Sequence, residues 1–356
     1  MGVGTPFGSG SGLKVFRLDL ENIDQAQEVA VMEGWDVRFL PLSTRGYSGS
    51  YAGLHLPGLY LVQKTHCHCS FHITGRAPAR LVPLLLPTKT SRSLRFRGRG
   101  VTESDVLLID PARDVDLTIE GGLEAMILYL TEGTYRGVLR GAFGPDGQAA
   151  EAGEALGALN GPGLVRLKAR LSEVLRSNSA LLKFDAHNLS RYVTSLVVAA
   201  LGGSDRDRAK ARSTPNVQKA DHARRARDFM EARRHEPLDL AELGSEVGIS
   251  VRTLQYAFQD YFGISPGRYH MLRRLAGAHS ELKRADPSEA SVTSIATHWG
   301  FYHLGRFSRA HEIHFGELPS QTLGQRQVRL FRAQKAALGR KPGSEAAIAR
   351  SAVEDR

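Results

Sequence analysis

The stretch LAELGSEVGIS, residues 240–250, decides the fold of the C-terminal third of the chain, because it recurs with substitutions as VTSIATHWGFY at residues 292–302. Apolar, small and glycine residues match between the copies: Leu243 with Ile295, Gly244 with Ala296, Val247 with Trp299, and Gly248 with Gly300. Past this point the second copy is one residue longer, and the match continues to Pro266 and Pro319. Two copies in register are much stronger evidence for a structural unit than one short match.

Each copy predicts two helices joined by a tight turn. Asp239 and Ser291 precede the apolar spacing and can cap the first helix of each copy. The small residue, Gly244 in the first copy, lets a second helix approach closely, and Gly248 stands where the turn favours a positive φ. Ser250 can cap the second helix. This pattern is typical of a helix-turn-helix, whose second helix presents its outer face to the major groove of DNA.

A further helix is predicted between the two copies. Residues 267–285 carry apolar side chains at helical spacing. At 1.5 Å per residue this helix would be about 28 Å long. We therefore expect it to hold two reading helices roughly one DNA turn apart, about 34 Å, on one face of a duplex.

With these motifs, residues 220–325 resemble the DNA-binding domain of the AraC/XylS family of transcription regulators. The resemblance rests on Ala241-x-x-Gly244-x-x-Val247-Gly248-Ile249-Ser250, Phe262-Gly263-Ile264-Ser265-Pro266 and Ile295-Ala296-x-x-Trp299-Gly300-Phe301. The stretches GFYHLGRFS (300–308) and FGELPS (315–320) are most similar to the XylS/BenR/AntR branch, which activates genes for breaking down aromatic carboxylates. One departure is His311, where the first copy has Phe258 and the family usually has an aromatic residue.

The resemblance implies DNA contacts on the outer faces of the two reading helices. In the first helix the implied residues are Arg252, Thr253, Gln255 and Tyr256. In the second helix the outward positions, rather than the resemblance, give His303, Arg306, Ser308 and Arg309 as the expected contacts. Arginine can bond guanine with two hydrogen bonds and glutamine can do the same with adenine, so we expect Arg306 and Arg309 to read bases. Ser308 and His303 are expected to contact the DNA backbone.

The N-terminal half shows a different pattern. From about Val15 to Leu130, short apolar runs end near Gly, Pro or Asp, as at residues 58–62, 81–86, 106–109 and 126–130. Many short strands without intervening helices predict a small β-barrel or a double-sheet sandwich, and we favour a cupin-like barrel. From Gly163 to Leu201, two apolar stripes predict an αα-hairpin. One stripe would pack on the barrel, and the other would pair with a second subunit or also belong to the core.

The fold class is therefore α+β, an N-terminal barrel with an αα-hairpin followed by an all-α domain. We expect a flexible tail (1–14), a sensor and dimerisation domain (15–201), a linker (202–218), the double helix-turn-helix domain (219–325) and a basic tail (326–356). The formal net charge of +10 favours a polyanionic partner. The sequence has two cysteines, Cys67 and Cys69, so we expect no disulfide framework. No apolar run is long enough to span a bilayer, and we expect a cytoplasmic protein.

A cluster of histidines offers a metal-binding hypothesis. His66, His68 and His72 would share one face of a strand, as in the metal motif of cupins. The carboxylate of that motif is replaced by His72, and sensor domains of the family usually bind no metal. We therefore expect no metal, cofactor or catalytic residue, and a strand or pocket wall as the role of these histidines. The sequence contains no phosphate-binding loop and no hydrolase nucleophile elbow.

Taken together, the sequence predicts a regulator that binds promoter DNA, responds to a small-molecule effector and activates transcription with RNA polymerase. The branch resemblance implies an aromatic carboxylate as the effector, and Arg76, Arg80 or Arg95 could pair with its carboxylate. Two alternatives are a metal-dependent cupin-like enzyme fused to a DNA-binding domain and a DNA-binding protein without a ligand. Bound metal in the purified protein would favour the enzyme.

Overall fold

The computed structural model describes residues 14–144, 162–176, 185–202 and 217–323, apart from positions 45, 68 and 91. The chain divides into two compact units. The first takes in the described residues of Met1–Arg234 and Leu238–Arg273, and the second those of His235–Pro237 and Arg274–Arg356. The predicted C-terminal tail, most of the N-terminal tail and most of the linker lie outside the described residues.

Two antiparallel sheets form the N-terminal part of the first unit. The six-stranded sheet has the order β1 (Lys14–Leu20), β3 (Ser48–Leu56), β4 (Leu59–Cys67), β11 (Gly122–Thr131), β6 (Leu81–Thr90) and β9 (Leu107–Leu108). The five-stranded sheet has the order β2 (Asp36–Pro41), β5 (Phe71–Arg76), β10 (Asp114–Glu120), β7 (Ser93–Phe96) and β8 (Arg99–Val101). The predicted strands at 58–62, 81–86, 106–109 and 126–130 correspond to β4, β6, β9 and β11.

The closed barrel predicted from the sequence is wrong. The strands form two separate sheets, with β1 and β9 at the edges of one and β2 and β8 at the edges of the other. Buried apolar side chains from both sheets, such as Leu85 and Ile127 from one and Leu117 and Ile119 from the other, line the space between them. A sandwich and a barrel require the same alternation of short apolar runs, so the pattern could not separate them. Likeness to a cupin is not confirmed.

The strand region also contains a helix that the sequence pattern did not predict. This helix, α1 (Ile23–Met32), begins at Asn22, whose side chain accepts a hydrogen bond from the backbone of Gln25. Its buried residues, Ile23, Ala26, Val29 and Ala30, do follow helical spacing. A second unpredicted helix, α2 (Glu132–Phe143), continues directly from β11.

The predicted αα-hairpin is present as α3 (Pro162–Arg176) and α4 (Ala186–Gly202). Leu167 and Leu171 of the first stripe and Val193 of the second belong to one buried cluster with Leu54 and Leu128 of the six-stranded sheet. Most of both stripes is therefore core, which is the alternative that needs no second subunit, while Tyr192 of the second stripe is 43% exposed. Pairing of two copies stays a prediction, since a single chain is described.

The C-terminal helices follow the repeat. They are α5 (Val217–Ala232), α6 (Leu240–Val247), α7 (Val251–Phe262), α8 (Pro266–Arg284), α9 (Val292–His298) and α10 (Leu304–Phe315). Helices α5 to α7 and the start of α8 belong to the first unit, and the rest of α8 belongs with α9 and α10 to the second. Among the described residues, no helix has both the length and the apolar character to cross a bilayer.

Candidate nucleic-acid interface

The first helix-turn-helix, α6 and α7, is built as its sequence predicts. Asp239 caps α6 by accepting hydrogen bonds from the backbone of Ala241 and Glu242, and Ser250 caps α7. Gly248 adopts φ 78°, in the left-handed region where glycine has no steric penalty. A Cβ on Gly244 would lie 2.7 Å from the carbonyl oxygen of Ile249. The close approach that requires a small residue is therefore to the turn, rather than to the body of the second helix.

The second helix-turn-helix, α9 and α10, repeats this construction. Ser291 and Ser294 form a reciprocal capping box at the start of α9, and Gly300 adopts φ 73°. The backbone nitrogen of Phe301 donates to the carbonyl of Ala296 at 2.8 Å, which reproduces the 2.8 Å bond from Ile249 to Gly244 in the first copy. The same backbone bond across the turn of both copies shows that the sequence repeat is a structural repeat.

The outer face of α7 is exposed at most of the positions expected to contact DNA. Arg252, Gln255 and Tyr256 are exposed, while Thr253 is half-buried. The Thr253 backbone and hydroxyl both lie within hydrogen-bond distance of the Ser250 hydroxyl, 3.1 and 2.9 Å away, so Thr253 is part of the helix cap. The guanidinium of Arg252 lies 5.6 Å from the centre of the Tyr256 ring and 3.3 Å from its hydroxyl. This contact orients the arginine along the exposed face.

Helix α10 exposes the second predicted set. Arg306 and Arg309 are exposed and make no ion pair with any described residue, and Ser308 is half-buried. His303 occupies the N-cap position without a side-chain cap bond, which leaves its imidazole at the exposed start of the helix. Phe307 is buried between these positions, so it fixes the rotation of the helix. The role of each of these residues toward DNA stays a prediction.

Arg274 of α8 holds the turn of the second helix-turn-helix, a role the sequence reading did not assign to it. Its Nε donates to the carbonyl of Trp299 at 2.6 Å, and its guanidinium lies 5.0 Å from the centre of the Phe301 ring. A Cβ on Gly300 would lie 1.9 Å from this guanidinium. Gly300 is therefore favoured by its positive φ, and a larger residue there would also displace the guanidinium of Arg274.

His311, the departure from the family pattern, is fully buried in the second unit. Its Nδ1 lies 2.8 Å from the carbonyl oxygen of Glu317, and its Nε2 lies 3.0 Å from Nδ1 of His279. The ring also packs against Phe307 and Phe315. A histidine can replace an aromatic residue here because α8 supplies a polar partner for its second nitrogen.

A largely buried polar cluster joins the five-stranded sheet to α5 and to the start of α8 within the first unit. Asp116 of β10 accepts from Nε2 of His72 at 2.9 Å and forms an ion pair with Arg227 of α5. Nδ1 of His72 lies 3.1 Å from the hydroxyl of Tyr269 on α8. We call these four residues the sheet–helix cluster. Sequence spacing alone does not predict the role of Arg227, because its partner Asp116 is 111 positions away in the chain.

Protonation states in the sheet–helix cluster follow from burial and charge. Burial lowers the pKa of His72 and outweighs the opposing effect of Asp116, so the imidazole is neutral at pH 7. Burial alone would raise the pKa of Asp116, but His72 and Arg227 outweigh it and lower that pKa to about 2. Neutral His72 therefore donates from Nε2 to the carboxylate, and its Nδ1 accepts from the Tyr269 hydroxyl.

A cavity of about 60 Å³ lies between the two sheets. Its walls are almost entirely apolar, with Ser50, Tyr51, Lys64 and His66 as the polar exceptions. The cavity is not lined by any of the three arginines expected to pair with an acidic effector, Arg76, Arg80 and Arg95. Arg95 pairs with Glu120 at 2.6 Å, and Arg76 lies 3.7 Å from Asp114. Arg80 is exposed.

The histidines of the metal hypothesis do not share a strand. His66 lies on β4 of the six-stranded sheet next to the hydroxyl of Tyr47, whereas His72 lies on β5 of the other sheet. The chain turns between them, because β4 ends at Cys67 and β5 begins at Phe71. His68 lies outside the described residues. Within the described ranges, no group of three His, Cys, Asp or Glu side chains could hold a metal ion.

Comparison with known proteins finds matches to the C-terminal part of the chain. A family model described as a helix-turn-helix domain matches residues 243–325. The chain is 43% identical over 100 residues to a probable thc operon regulatory protein of Rhodococcus erythropolis, a match that covers 28% of this chain and 30% of that protein. It is 30% identical to XylDLEGF operon transcriptional activator 2 of Pseudomonas putida, a match that covers 31% of this chain and 70% of that protein.

Parts of the chain are also similar to solved structures. A probable AraC family transcriptional regulator from Rhodopseudomonas palustris CGA009 is 36% identical, with a TM-score of 0.28, and the match covers 30% of this chain and 97% of that one. The AraC-like transcriptional activator CuxR is 16% identical, with a TM-score of 0.39, over 75% of this chain and 96% of that one.

Proposed function

Because the chain belongs to the AraC/XylS family of DNA-binding transcription regulators, we propose that it recognises a promoter through the exposed faces of α7 and α10. The observation that carries this proposal is the structural repeat. Both copies have a capped first helix, a glycine turn with positive φ, the same backbone bond across the turn, and a twelve-residue second helix. Each second helix buries one face and exposes the other, as entry into a major groove requires.

The residue types on the two faces suit base reading. Gln255 can bond adenine, and Arg252, Arg306 and Arg309 can each bond guanine with two hydrogen bonds. The hydroxyl of Tyr256 suits a phosphate, and Ser308 and His303 suit the DNA backbone at the start of α10. The formal net charge of +10 adds sequence-independent attraction to DNA.

We also propose that the protein is an activator controlled by a small molecule in the cavity between the sheets. Several relatives are named as operon activators, and they are 30–35% identical to this chain over about a third of its length or less. An activator of this kind would contact RNA polymerase. The sheet–helix cluster can couple the cavity to the helices on either side of the first helix-turn-helix, α5 and α8. Strands β5 and β10 contribute Ile73 and Leu117 to the cavity wall, and they contribute His72 and Asp116 to the cluster.

Selection of DNA from a random pool by the full chain tests the DNA-reading proposal. The wild-type protein is expected to enrich one sequence, and Gln255→Ala combined with Arg306→Ala should abolish that enrichment. Arg170→Ala removes the same positive charge from an exposed site on α3, where Arg170 pairs with Glu173, and should leave the selected sequence unchanged. Equal weakening by both sets of changes, or no enrichment by the wild type, would contradict sequence-specific reading.

A further inference from the structure

The cavity between the sheets offers no unbalanced charge to a ligand. Lys64 is the only positively charged side chain among the described residues that line it. Its Nζ forms a salt bridge with Glu33, whose side chain is completely buried. The ammonium of Lys64 therefore already has its counter-ion.

Glu33 is held in place by further donors. The hydroxyl of Tyr129 donates to its Oε1 at 2.9 Å, and the hydroxyl of Tyr51 donates to the same oxygen. Tyr129 in turn accepts from the indole nitrogen of Trp35 at 2.9 Å. Burial raises the pKa of both tyrosines well above the usual value, so both stay protonated donors. A carboxylate that accepts from three donors is held firmly beside the cavity wall, since moving it would break several buried hydrogen bonds.

His66 adds no charge to the cavity at neutral pH. Burial, helped by the nearby ammonium of Lys64, lowers its pKa to about 3. With His66 neutral and Lys64 balanced by Glu33, the charges at the cavity wall sum to zero.

We propose that the effector held in this cavity is an uncharged, largely apolar small molecule, rather than the carboxylate that the branch resemblance implies. The inference rests on the proposed ligand site. A carboxylate placed here would bring a second negative charge close to Glu33 with no unpaired cation to balance it, and burying an unbalanced charge is strongly unfavourable. An uncharged ligand avoids the cost of burying a charge, and its burial against apolar side chains such as Ile73, Leu117 and Ile127 favours binding.

Isosteric pairs of acids and amides separate the two ligand classes. The full chain would be titrated at pH 7 with acetate and acetamide, propionate and propionamide, and butyrate and butyramide, with calorimetry and thermal shift as readouts. Small probes are chosen because the cavity of about 60 Å³ is well below the roughly 300–1,000 Å³ of pockets for drug-sized ligands. For every pair that binds, the amide should bind at least about tenfold more tightly than the acid. Equal or tighter binding of the acid would overturn the proposal.

Glu33→Gln tests the cause of the preference. This change keeps the shape of the side chain but leaves Lys64 without its counter-ion, so the variant should now prefer the acid of each pair. The double variant Glu33→Gln with Lys64→Met removes both charges and should again prefer the amide. If folded Glu33→Gln still binds the amide of each pair more tightly, the proposal is overturned. If this variant does not fold, the comparison of acid and amide binding to the wild-type protein decides the question alone. Binding of no probe to any of these proteins would instead contradict the proposed ligand site.

Discussion

Replacing Asp116 with asparagine removes the charge at the centre of the sheet–helix cluster while keeping the shape of the side chain. The carboxylate has a pKa of about 2 in the folded protein and about 3.9 in an unfolded chain. Each pKa unit corresponds to about 1.4 kcal/mol, so this difference corresponds to between about 2 and 3 kcal/mol of stability at pH 7. We therefore expect Asp116→Asn to lower the free energy of unfolding by about that amount.

Urea unfolding of the full chain, followed by circular dichroism at pH 7, measures this loss. Asp114→Asn is the matched control on the same strand, because the Asp114 side chain is 82% exposed and lies 3.7 Å from an exposed arginine. The control should change stability by less than about 0.5 kcal/mol. The folded pKa of Asp116 lies below the unfolded one, so its contribution is complete above about pH 5 and is lost as the pH falls through 2. Equal effects of the two variants at pH 7 would refute the reasoning.

Three further predictions concern other parts of the chain. His66 has a pKa of about 3 in the folded protein and about 6.5 in the unfolded chain, so between pH 7 and pH 5 this site gains a proton only in the unfolded chain. The wild-type protein should therefore lose about 2 kcal/mol more stability over this range than His66→Gln does. Urea unfolding of both proteins at both pH values measures the difference. Gly277→Ala should destabilise the second unit by about 1–3 kcal/mol, because its Cβ would lie 2.1 Å from the Trp299 ring. Gly267→Ala on the same helix meets no atom within 4 Å and should be neutral or stabilising by up to about 1 kcal/mol; thermal unfolding of the two variants measures both effects. Arg306→Ala should lower the preference for the selected DNA over a scrambled duplex by about 1–3 kcal/mol in binding titrations, and equal loss on both would indicate a phosphate contact.

The helix-turn-helix units could be predicted from the sequence because their determinants are local. Caps such as Asp239 and Ser250, and turn glycines such as Gly248 and Gly300, act within one turn of the chain, so their roles can be identified from spacing alone. The outward faces of α7 and α10 follow from the same periodicity.

What the sequence did not predict depends on partners distant along the chain. Arg227 forms an ion pair with Asp116, and Lys64 forms one with Glu33, and the spacing of these residues in the sequence does not predict either pair. The aromatic-carboxylate expectation came from resemblance in a different part of the chain, and the composition of the cavity wall does not support it. The choice between barrel and sandwich likewise depends on which strand edges pair, a long-range property that alternation does not encode.

The most direct test of the central claim is the DNA sequence selected by two single variants, Arg252→Ala on α7 and Arg306→Ala on α10. If both helices read bases, each variant will keep most of the wild-type site but lose preference at its own base pair, and the two base pairs will differ. Loss of preference at the same base pair, or wild-type selection by either variant, would contradict a protein that reads DNA with two helices.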